Sequence, residues 1–254
     1  MTFGYIPNKS ISKDLILRAI GYPNLIRRIQ AEALMRMLNP KLNETILDVG
    51  CGPGYFTYEI SKYCNKSLGI DWNLNSKHSF AMKTQPKLVY IKGDIQKLPF
   101  ASDMFDKILL SSVLQMVQDD ELLLEECYRI LKPDGELILS VPLGYIYIKK
   151  LNDYKYKLKE VFGSLGKTYY NYKQIVELVK MKGFEVNEIE YSPKWWGSLI
   201  FEIGLFAWYR FRFPFFSVYS FILLYPIMFL DKFSDQRQGG NELIIKVRKV
   251  KNNE

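Results

Sequence analysis

A short apolar run, a glycine-rich turn and the start of a helix follow one another between Ile46 and Thr57, in the sequence Ile-Leu-Asp-Val-Gly-Cys-Gly-Pro-Gly-Tyr-Phe-Thr. Glycine has no Cβ and tolerates a positive φ, so such a turn lets backbone N–H groups approach a ligand closely. The helix that follows offers free N–H donors and the positive end of its dipole to an anionic group. Asp48 stands just before the glycines, which indicates a ligand that also carries a positive group.

Strand and helix signals alternate along the rest of the chain, and this alternation predicts one α/β domain. Such alternation gives a mostly parallel sheet that is covered by helices on both faces. Ligands of these sheets bind beyond the carboxyl ends of the strands. The predicted strands cover residues 45–49, 67–71, 88–92, 105–110, 136–141, 184–191 and 242–250, and helices are predicted at 54–63, 119–131 and 172–182.

Two further acids lie at the ends of predicted strands. Asp71 closes the second strand, where a carboxylate can accept hydrogen bonds from two ribose hydroxyls. Asp94 follows the third strand, where a carboxylate can accept from an exocyclic amine. The dinucleotide fingerprint requires a glycine where this chain has Tyr55. The set therefore favours an adenosine-containing ligand with an amino-acid-like group over a dinucleotide.

The segments Ile-Leu-Asp-Val-Gly-Cys-Gly-Pro-Gly, Gly-Ile-Asp, Gly-Asp-Ile and Phe-Asp-Lys-Ile-Leu-Leu-Ser-Ser-Val-Leu resemble those of the class I S-adenosylmethionine-dependent methyltransferases, of the type 11-like group. Residues 129–137, Arg-Ile-Leu-Lys-Pro-Asp-Gly-Glu-Leu, resemble that family's turn into the fifth strand. The resemblance extends over residues 30–190 and the final strand. It implies a Rossmann-like, seven-stranded, mostly parallel sheet with helices on both faces, and S-adenosyl-L-methionine as the cofactor.

The resemblance also implies which residues bind that cofactor. Gly50, Gly52 and Gly54 would line its methionine portion. Asp48 and Cys51 belong to the same loop, and Asp48 would orient the loop or meet the ammonium group. The ordinary structural alternative for this loop is a tight turn without a ligand.

Five more positions follow from the same resemblance. Asp71 would bind the ribose, and Trp72 would pack beside the adenine. Asp94 would hold the adenine amine, with Ile95 against the ring. Ser111, after the fourth strand, would face the methionine amino end. The structural alternatives are helix caps for the acids and a core position for Trp72.

The sequence does not name a catalytic base. Many members of the family read Val-Leu-Glu-His after the fourth strand, whereas this chain reads Val-Leu-Gln-Met at 113–116. Tyr145 and Tyr169 lie in segments that commonly flank the acceptor pocket. Asp119 and Asp120 fit helix caps, and no cluster with metal-ligand spacing is present, so no metal is predicted.

The chain is basic, with a formal net charge of +8 and a pI of about 9.1. This balance fits an anionic membrane surface, a nucleic acid or a lysine-rich solvated surface. The sequence has no aromatic and basic recognition module, which argues against nucleic acid. The three cysteines show no CxxC spacing, so neither a disulfide framework nor a zinc site is indicated, and a reducing compartment is expected.

A densely apolar, aromatic stretch, Trp195–Leu230, separates the last two strands. Its second part, Phe213–Leu230, has 18 residues without a charge, and as a helix these would extend about 27 Å. If both flanking strands belong to one sheet, the chain must enter and leave on the same side, which excludes a single span. Glu202 interrupts the first part and argues against two spans. Aromatic residues, with Arg210 and Arg212, suit a membrane interface.

We therefore divide the chain into a methyltransferase domain, residues 1–191 and 241–254 with a helical cap at 1–38, and a hydrophobic helical insert at 192–240. The insert either associates with a membrane through residues 195–230, covers the acceptor pocket as a lid or forms a dimer interface. The expected function is methylation, at oxygen, of a lipid or lipid-linked acceptor at the cytoplasmic face of the membrane. The alternatives are a soluble small-molecule acceptor and a non-catalytic, cofactor-binding membrane adaptor. The oligomeric state, the acceptor and its reacting atom stay open.

Overall fold

The computed structural model describes residues 25–74, 82, 85–143, 170–211, 230 and 240–250. Within these ranges, the side chains at 25–28, 201, 204–205 and 207–211 are not described. Residues 1–24 of the predicted helical cap lie outside the described residues. The same holds for Tyr145, Tyr169 and all but the last residue of Phe213–Leu230.

The described residues form one seven-stranded sheet in the order β3-β2-β1-β4-β5-β7-β6. Six strands run in one direction, and β7 is antiparallel to both of its neighbours. The predicted sheet is confirmed, with each strand within a few residues of its expected position. The strands are β1 Thr45–Val49, β2 Lys66–Asp71, β3 Leu88–Lys92, β4 Phe105–Ser111, β5 Leu131–Pro142, β6 Phe184–Ser192 and β7 Glu242–Lys249.

Helices cover both faces of this sheet, as predicted. Alternate strand residues point to opposite faces. Ile46 accordingly belongs to the buried cluster that contains Leu34 and Leu38 of the first helix, whereas its neighbour Leu47 belongs to the larger cluster with Leu123. The helices are α1 Leu25–Leu38, α2 Tyr55–Ile60, α3 Asp120–Ile130, α4 Tyr172–Met181 and α5 Trp195–Phe211, and a 3₁₀ turn covers Leu114–Met116.

The two acids predicted as caps of α3 have different roles. The Asp119 carboxylate accepts from the Leu122 N–H at 2.9 Å and is the N-cap. Asp120 is buried, and its carboxylate accepts from the Tyr170 hydroxyl at 2.7 Å. Asp119 therefore caps the helix as predicted. Asp120 instead links the start of α3 to Tyr170, which lies just before α4.

The predicted turn at residues 132–135 is a bulge inside β5. Phe105 pairs with Leu131 and Lys107 pairs with Glu136, so four residues of β5 stand opposite one residue of β4. Asp134 in the bulge has a φ of +63°, a left-handed conformation that Asp tolerates better than most residues.

The carboxyl ends of β1 to β6 and the start of β7 lie at one edge of the sheet, which we call the ligand edge. Ser192, the last residue of β6, is the register partner of Glu242, the first residue of β7. The insert between them therefore leaves and re-enters the sheet on adjacent strands at the ligand edge. The two strands that flank the insert belong to one sheet, as expected.

Candidate active site

The glycine-rich turn leaves β1 in a left-handed backbone conformation at three positions. Gly50, Gly52 and Gly54 have φ values of +68°, +51° and +80°. The N–H groups of Gly50 and Cys51 both donate to the Ile70 carbonyl, at 2.8 and 3.1 Å. The turn is therefore fixed against the end of β2, and a residue with a Cβ would be strained at each of the three positions.

The space around the three glycines differs. A Cβ added to Gly50 would lie 2.7 Å from a Val113 methyl group, and one added to Gly54 would collide with the Tyr90 ring. The Tyr90 hydroxyl also donates to the Gly54 carbonyl at 2.7 Å. A Cβ added to Gly52 would meet nothing within 4 Å. Close packing against Val113 and Tyr90 therefore leaves no room for a side chain at Gly50 and Gly54, whereas Gly52 faces open space.

Asp48 lies beneath this turn and is 2% exposed. The Thr57 hydroxyl of α2 donates to its carboxylate at 2.6 Å, which joins the helix to β1. Burial is the main cause that raises the pKa of Asp48 to about 7; the Thr57 hydrogen bond opposes this shift, and the nearby charge of Asp71 contributes to it. Burial likewise raises the pKa of the Cys51 thiol, so this cysteine stays protonated.

Asp71 at the end of β2 closes the glycine-rich turn from the other side. Its Oδ2 accepts from the Gly52 N–H at 2.9 Å, and its Oδ1 accepts from the Asn73 N–H at 2.9 Å. A carboxylate has about four acceptor positions. These two bonds therefore orient Asp71 and leave it able to accept from a ligand hydroxyl.

Trp72 is 78% exposed, which excludes the core position that the sequence left open. Trp72 follows Asp71 directly, at the ligand edge. Asp94 is exposed, and its Oδ1 accepts from the Gln96 N–H at 2.9 Å. Ile95 is half-buried and packs against the large core cluster. The Gly93 N–H donates to the Asp71 carbonyl at 3.1 Å, which holds the two acid-bearing strand ends side by side.

Ser111 is the last residue of β4 and pairs with Ser140. The next residue, Ser112, has a φ of +54°, a strained conformation for a residue with a side chain. Gln115 supports it, because its Nε2 donates to the Ser112 carbonyl at 2.9 Å. Gln115 is 9% exposed, and its Oε1 has no hydrogen-bond partner in the described part of the chain.

Sequence reasoning chose Ser111 but missed Ser112 and two residues that contact it. Gln30 of α1 and Glu242 of β7 both hydrogen-bond to the Ser112 hydroxyl, at 3.1 and 2.7 Å. They lie 82 and 130 residues away from it along the chain. No local motif marks such a contact, because it is created by the strand order β4-β5-β7 and by the packing of α1.

These features together fit an adenosyl ligand with an amino-acid end. Open space faces Gly52, and the exposed Trp72 follows Asp71 in the chain. The side-chain carbonyl of Gln115, unpaired among the described residues, can accept from an ammonium group. The residues predicted from the glycine-rich turn, from Asp71 and from Asp94 all lie at the ligand edge.

The family model for the methyltransferase domain matches residues 47–139, from β1 into β5. The chain contains a class I S-adenosylmethionine-dependent methyltransferase domain. Within residues 47–139 lie the glycine-rich turn and the acids Asp71 and Asp94, so the match covers the candidate cofactor site.

Curated relatives include methyltransferases with different acceptors. A demethylmenaquinone methyltransferase from Oceanobacillus iheyensis is 29% identical over 140 residues, which are 52% of this chain and 59% of that protein. A malonyl-[acyl-carrier protein] O-methyltransferase from Calditerrivibrio nitroreducens is 34% identical over 119 residues, which are 46% of each protein. The chain thus spans about half the length of these relatives.

A solved structure shares the fold of the methyltransferase domain. It is the N-methyltransferase NodS from Bradyrhizobium japonicum in complex with S-adenosyl-L-homocysteine. The two proteins superpose with a TM-score of 0.56 at 14% identity, over 90% of this chain and 89% of that one. At this identity the likeness shows the fold alone.

Helix α5 begins the insert directly after β6, at the ligand edge of the sheet. Asn241, the residue before β7, donates from Nδ2 to the Glu202 carboxylate at 2.7 Å and from its N–H to the Ser198 hydroxyl at 3.1 Å. Glu202 is fully buried. The charge that interrupts the apolar stretch therefore binds the helix to the start of β7.

Part of α5 remains open to solvent. Trp195 and Ile203 are 36% and 46% exposed. The Trp195 ring meets that of Trp196 edge to face, with 4.3 Å between the ring centroids. Over the residues that the structure describes, no helix combines the length and the apolar character needed to cross a bilayer. The same residues contain no group of three or more acidic, histidine or cysteine side chains arranged to hold a metal ion.

Proposed function

We propose that the protein methylates, at oxygen, a lipid or lipid-linked acceptor while it is docked on the cytoplasmic face of a membrane. The observation that carries the proposal is the position of the insert. It leaves the sheet after Ser192 and returns at Glu242, two register partners at the ligand edge. An apolar segment that begins and ends at the ligand edge would bring an acceptor from a membrane surface directly to the methyl donor.

The family resemblance implies the cofactor-binding roles, and the positions of these residues at the ligand edge are compatible with them. Asp71 would accept from the ribose hydroxyls, and Trp72 would cover the adenine ring. Asp94 and Ile95 would bind the amine and the face of the adenine, and Ser111 would lie near the methionine end. Asp48 would stabilise the glycine-rich turn that the methionine portion contacts, including Gly52 and Cys51.

S-adenosylmethionine supplies an electrophilic methyl group on a positively charged sulfur. The protein's task is then to hold the acceptor atom in line with that group and to exclude water, and such positioning accounts for a large part of the rate. A hydroxyl acceptor also requires a group that takes its proton.

The acceptor class draws support from two sources. One curated relative is named for demethylmenaquinone, an isoprenoid quinone, and another for a malonyl group on acyl-carrier protein. The net charge of +8 favours contact with anionic headgroups. A membrane-bound isoprenoid quinol, a polyprenyl-linked sugar or a phospholipid headgroup would fit an apolar insert at the ligand edge.

Vesicle flotation tests the docking step. The double variant Trp195→Ser with Ile203→Ser removes two exposed apolar side chains of α5 and should reduce binding to vesicles of phosphatidylcholine and phosphatidylglycerol at least fivefold, because both side chains would lose their burial in the interface. The matched control is Leu42→Ser with Met181→Ser, which removes two exposed apolar side chains elsewhere. Equal binding by all three proteins, or no vesicle binding by the wild type, would refute docking through α5.

A soluble acceptor, with the insert as a lid, is the second candidate. It is favoured by the burial of Glu202 against Asn241, which holds the start of α5 on the domain. In that case the double variant at Trp195 and Ile203 would leave vesicle binding unchanged but would raise the KM for a soluble acceptor. Calorimetric binding of the cofactor without methyl transfer to either kind of acceptor would instead favour a non-catalytic adaptor.

A further inference from the structure

Three elements and the residue that follows β4 bring four polar side chains together at the ligand edge. Gln30 of α1 donates from Nε2 to the hydroxyls of Ser112 and Ser140, at 3.1 and 3.3 Å, and to Oε1 of Glu242. The Ser112 hydroxyl donates to the same Glu242 oxygen at 2.7 Å. We call these four residues the Glu242 cluster.

The cluster adjoins the glycine-rich turn of the cofactor site. Ser112 follows β4 directly, and the next residue, Val113, contacts Gly50 so closely that a Cβ there would lie 2.7 Å away. The φ of +54° at Ser112 turns the chain out of the strand at this point. Left-handed conformations at residues other than glycine are costly and concentrate at functional sites.

Burial within the cluster falls from one side to the other. Gln30 and Ser140 are 2% and 0% exposed, whereas Ser112 and Glu242 are only half-buried. Ser112 and Glu242 are thus the more exposed residues of the cluster. A carboxylate offers about four acceptor positions over its two oxygens, and the bonds from Gln30 and Ser112 occupy two of them on Oε1.

A second observation also points to a ligand at this place. Ser192 is the register partner of Glu242 across β6 and β7, and side chains of directly opposed residues lie on the same face, about 5 Å apart at their Cβ atoms. Ser192 is 1% exposed, and its hydroxyl has no hydrogen-bond partner in the described part of the chain. Buried polar groups are normally paired, so a polar group supplied by a ligand would complete this one.

We propose that the Glu242 cluster binds the reacting end of the acceptor, that this end is an uncharged hydroxyl, and that Glu242 takes its proton. The inference rests on the proposed methyltransferase function. In the transfer, the acceptor oxygen forms a bond to the methyl carbon of S-adenosylmethionine. The carbon–sulfur bond breaks with its electron pair going to sulfur, which gives S-adenosylhomocysteine, and the hydroxyl proton passes to the Glu242 carboxylate.

The charge of Glu242 decides between acceptor classes. A carboxylate or phosphate end would be repelled by Glu242 at hydrogen-bond distance in a partly buried site, where charges interact more strongly than in water. A neutral hydroxyl would donate to the carboxylate and gain a charge-assisted hydrogen bond. The cluster therefore favours a quinol or sugar hydroxyl over a phospholipid phosphate or a malonyl carboxylate.

The test uses a matched pair of probes, 1-naphthol and 1-naphthoate, which carry a hydroxyl and a carboxylate on the same ring system. Binding is measured by calorimetry on the full chain with S-adenosylhomocysteine present, so that the donor site is filled. The wild type should bind 1-naphthol at least tenfold more tightly than 1-naphthoate. Glu242→Gln should weaken 1-naphthol and strengthen 1-naphthoate, reversing the order.

Tighter binding of 1-naphthoate by Glu242→Gln would separate a direct role of Glu242 from a structural one. A variant whose site is only distorted would have a lower affinity for both probes. Glu185→Gln is the control, since it removes a carboxylate that pairs with Arg248 on the surface at the far end of β6, and it should leave both affinities unchanged. If Glu242→Gln does not fold, Glu242→Asp and Ser112→Ala should each weaken 1-naphthol selectively.

Three results would overturn the inference: wild-type affinity for 1-naphthoate equal to or above that for 1-naphthol, no change in preference in the variants, or no binding of either probe. None of these readouts requires methyl transfer or a membrane. A failed transfer to lipid, with the predicted probe preference intact, would instead contradict the proposed function alone.

Discussion

Replacing Gly52 and Gly54 by alanine, one at a time, should separate ligand contact from fold stability within a single turn. Both residues have a positive φ, +51° and +80°. The left-handed conformation costs a residue with a Cβ about 1–2 kcal/mol. The surroundings differ, because a Cβ at Gly52 meets nothing within 4 Å while one at Gly54 collides with the Tyr90 ring.

The magnitudes follow from that difference. Gly52→Ala should lose only the conformational term, and this would lower the melting temperature by roughly 3–6 °C at this chain length. Gly54→Ala should lose in addition about 1–3 kcal/mol through overpacking against Tyr90, together with the hydrogen bond from the Tyr90 hydroxyl to the Gly54 carbonyl. Its melting temperature should fall at least twice as far.

Cofactor binding should separate the two variants further. The added methyl group of Gly52→Ala would occupy the open space in front of the turn, where the methionine portion is expected, so the affinity for S-adenosylhomocysteine should fall at least tenfold while the protein stays folded. Calorimetric titration and differential scanning calorimetry on the same samples give both quantities. Wild-type affinity in Gly52→Ala, or equal loss of stability in both variants, would refute the reasoning.

Three further predictions concern separate parts of the site. Trp72→Ala should lower the affinity for S-adenosylhomocysteine about tenfold, measured by fluorescence titration, and should hardly change stability, because the ring is 78% exposed in the free protein. Trp72→Phe should restore most of the affinity. A loss of stability with unchanged affinity would contradict this prediction. Folding raises the Asp48 pKa from 3.8 to about 7, so between these values the native state keeps a proton that the unfolded chain releases. The free energy of unfolding should therefore fall as pH rises from about 4 to 7, by ~4 kcal/mol at most. Above pH 7 this contribution should not change further. In urea denaturation, the free energy of unfolding of Asp48→Asn relative to the wild type should increase with pH only between about pH 4 and 7. A difference between the two proteins that does not change with pH would argue against a raised pKa. Glu202→Ala leaves the buried Asn241 amide without this partner, which costs about 1–3 kcal/mol locally. Hydrogen exchange should therefore become faster in α5 but not in β1. Unchanged exchange in α5 would show that Glu202 does not hold the helix.

The sheet could be predicted because its signals are local. The apolar runs of β1 and β4, the acids at strand ends and the glycines each act through their own backbone neighbourhood. The same locality explains why Asp71 was identified: its position at a strand end is visible in the sequence, and only its bonds to the N–H groups of Gly52 and Asn73 required the structure.

The remaining part of the site depends on contacts between distant segments. Gln30 and Glu242 meet Ser112 only because α1 covers the sheet and β7 inserts between β5 and β6. Glu202 shows the same limit. In the sequence it interrupts an apolar stretch, whereas in the fold Asn241 satisfies it, and a buried charge with a partner is compatible with an apolar helix.

Transfer of a labelled methyl group tests the central claim most directly. The full chain is incubated with methyl-labelled S-adenosylmethionine and either a total membrane lipid extract in vesicles or the soluble metabolite fraction from the same cells, and the products are separated and identified by mass. Label is expected in a lipid product as an oxygen-linked methyl group, and the yield with Gly52→Ala should be at least tenfold lower. Label confined to soluble products, or no label in any lipid by a protein that binds S-adenosylhomocysteine, would contradict this expectation.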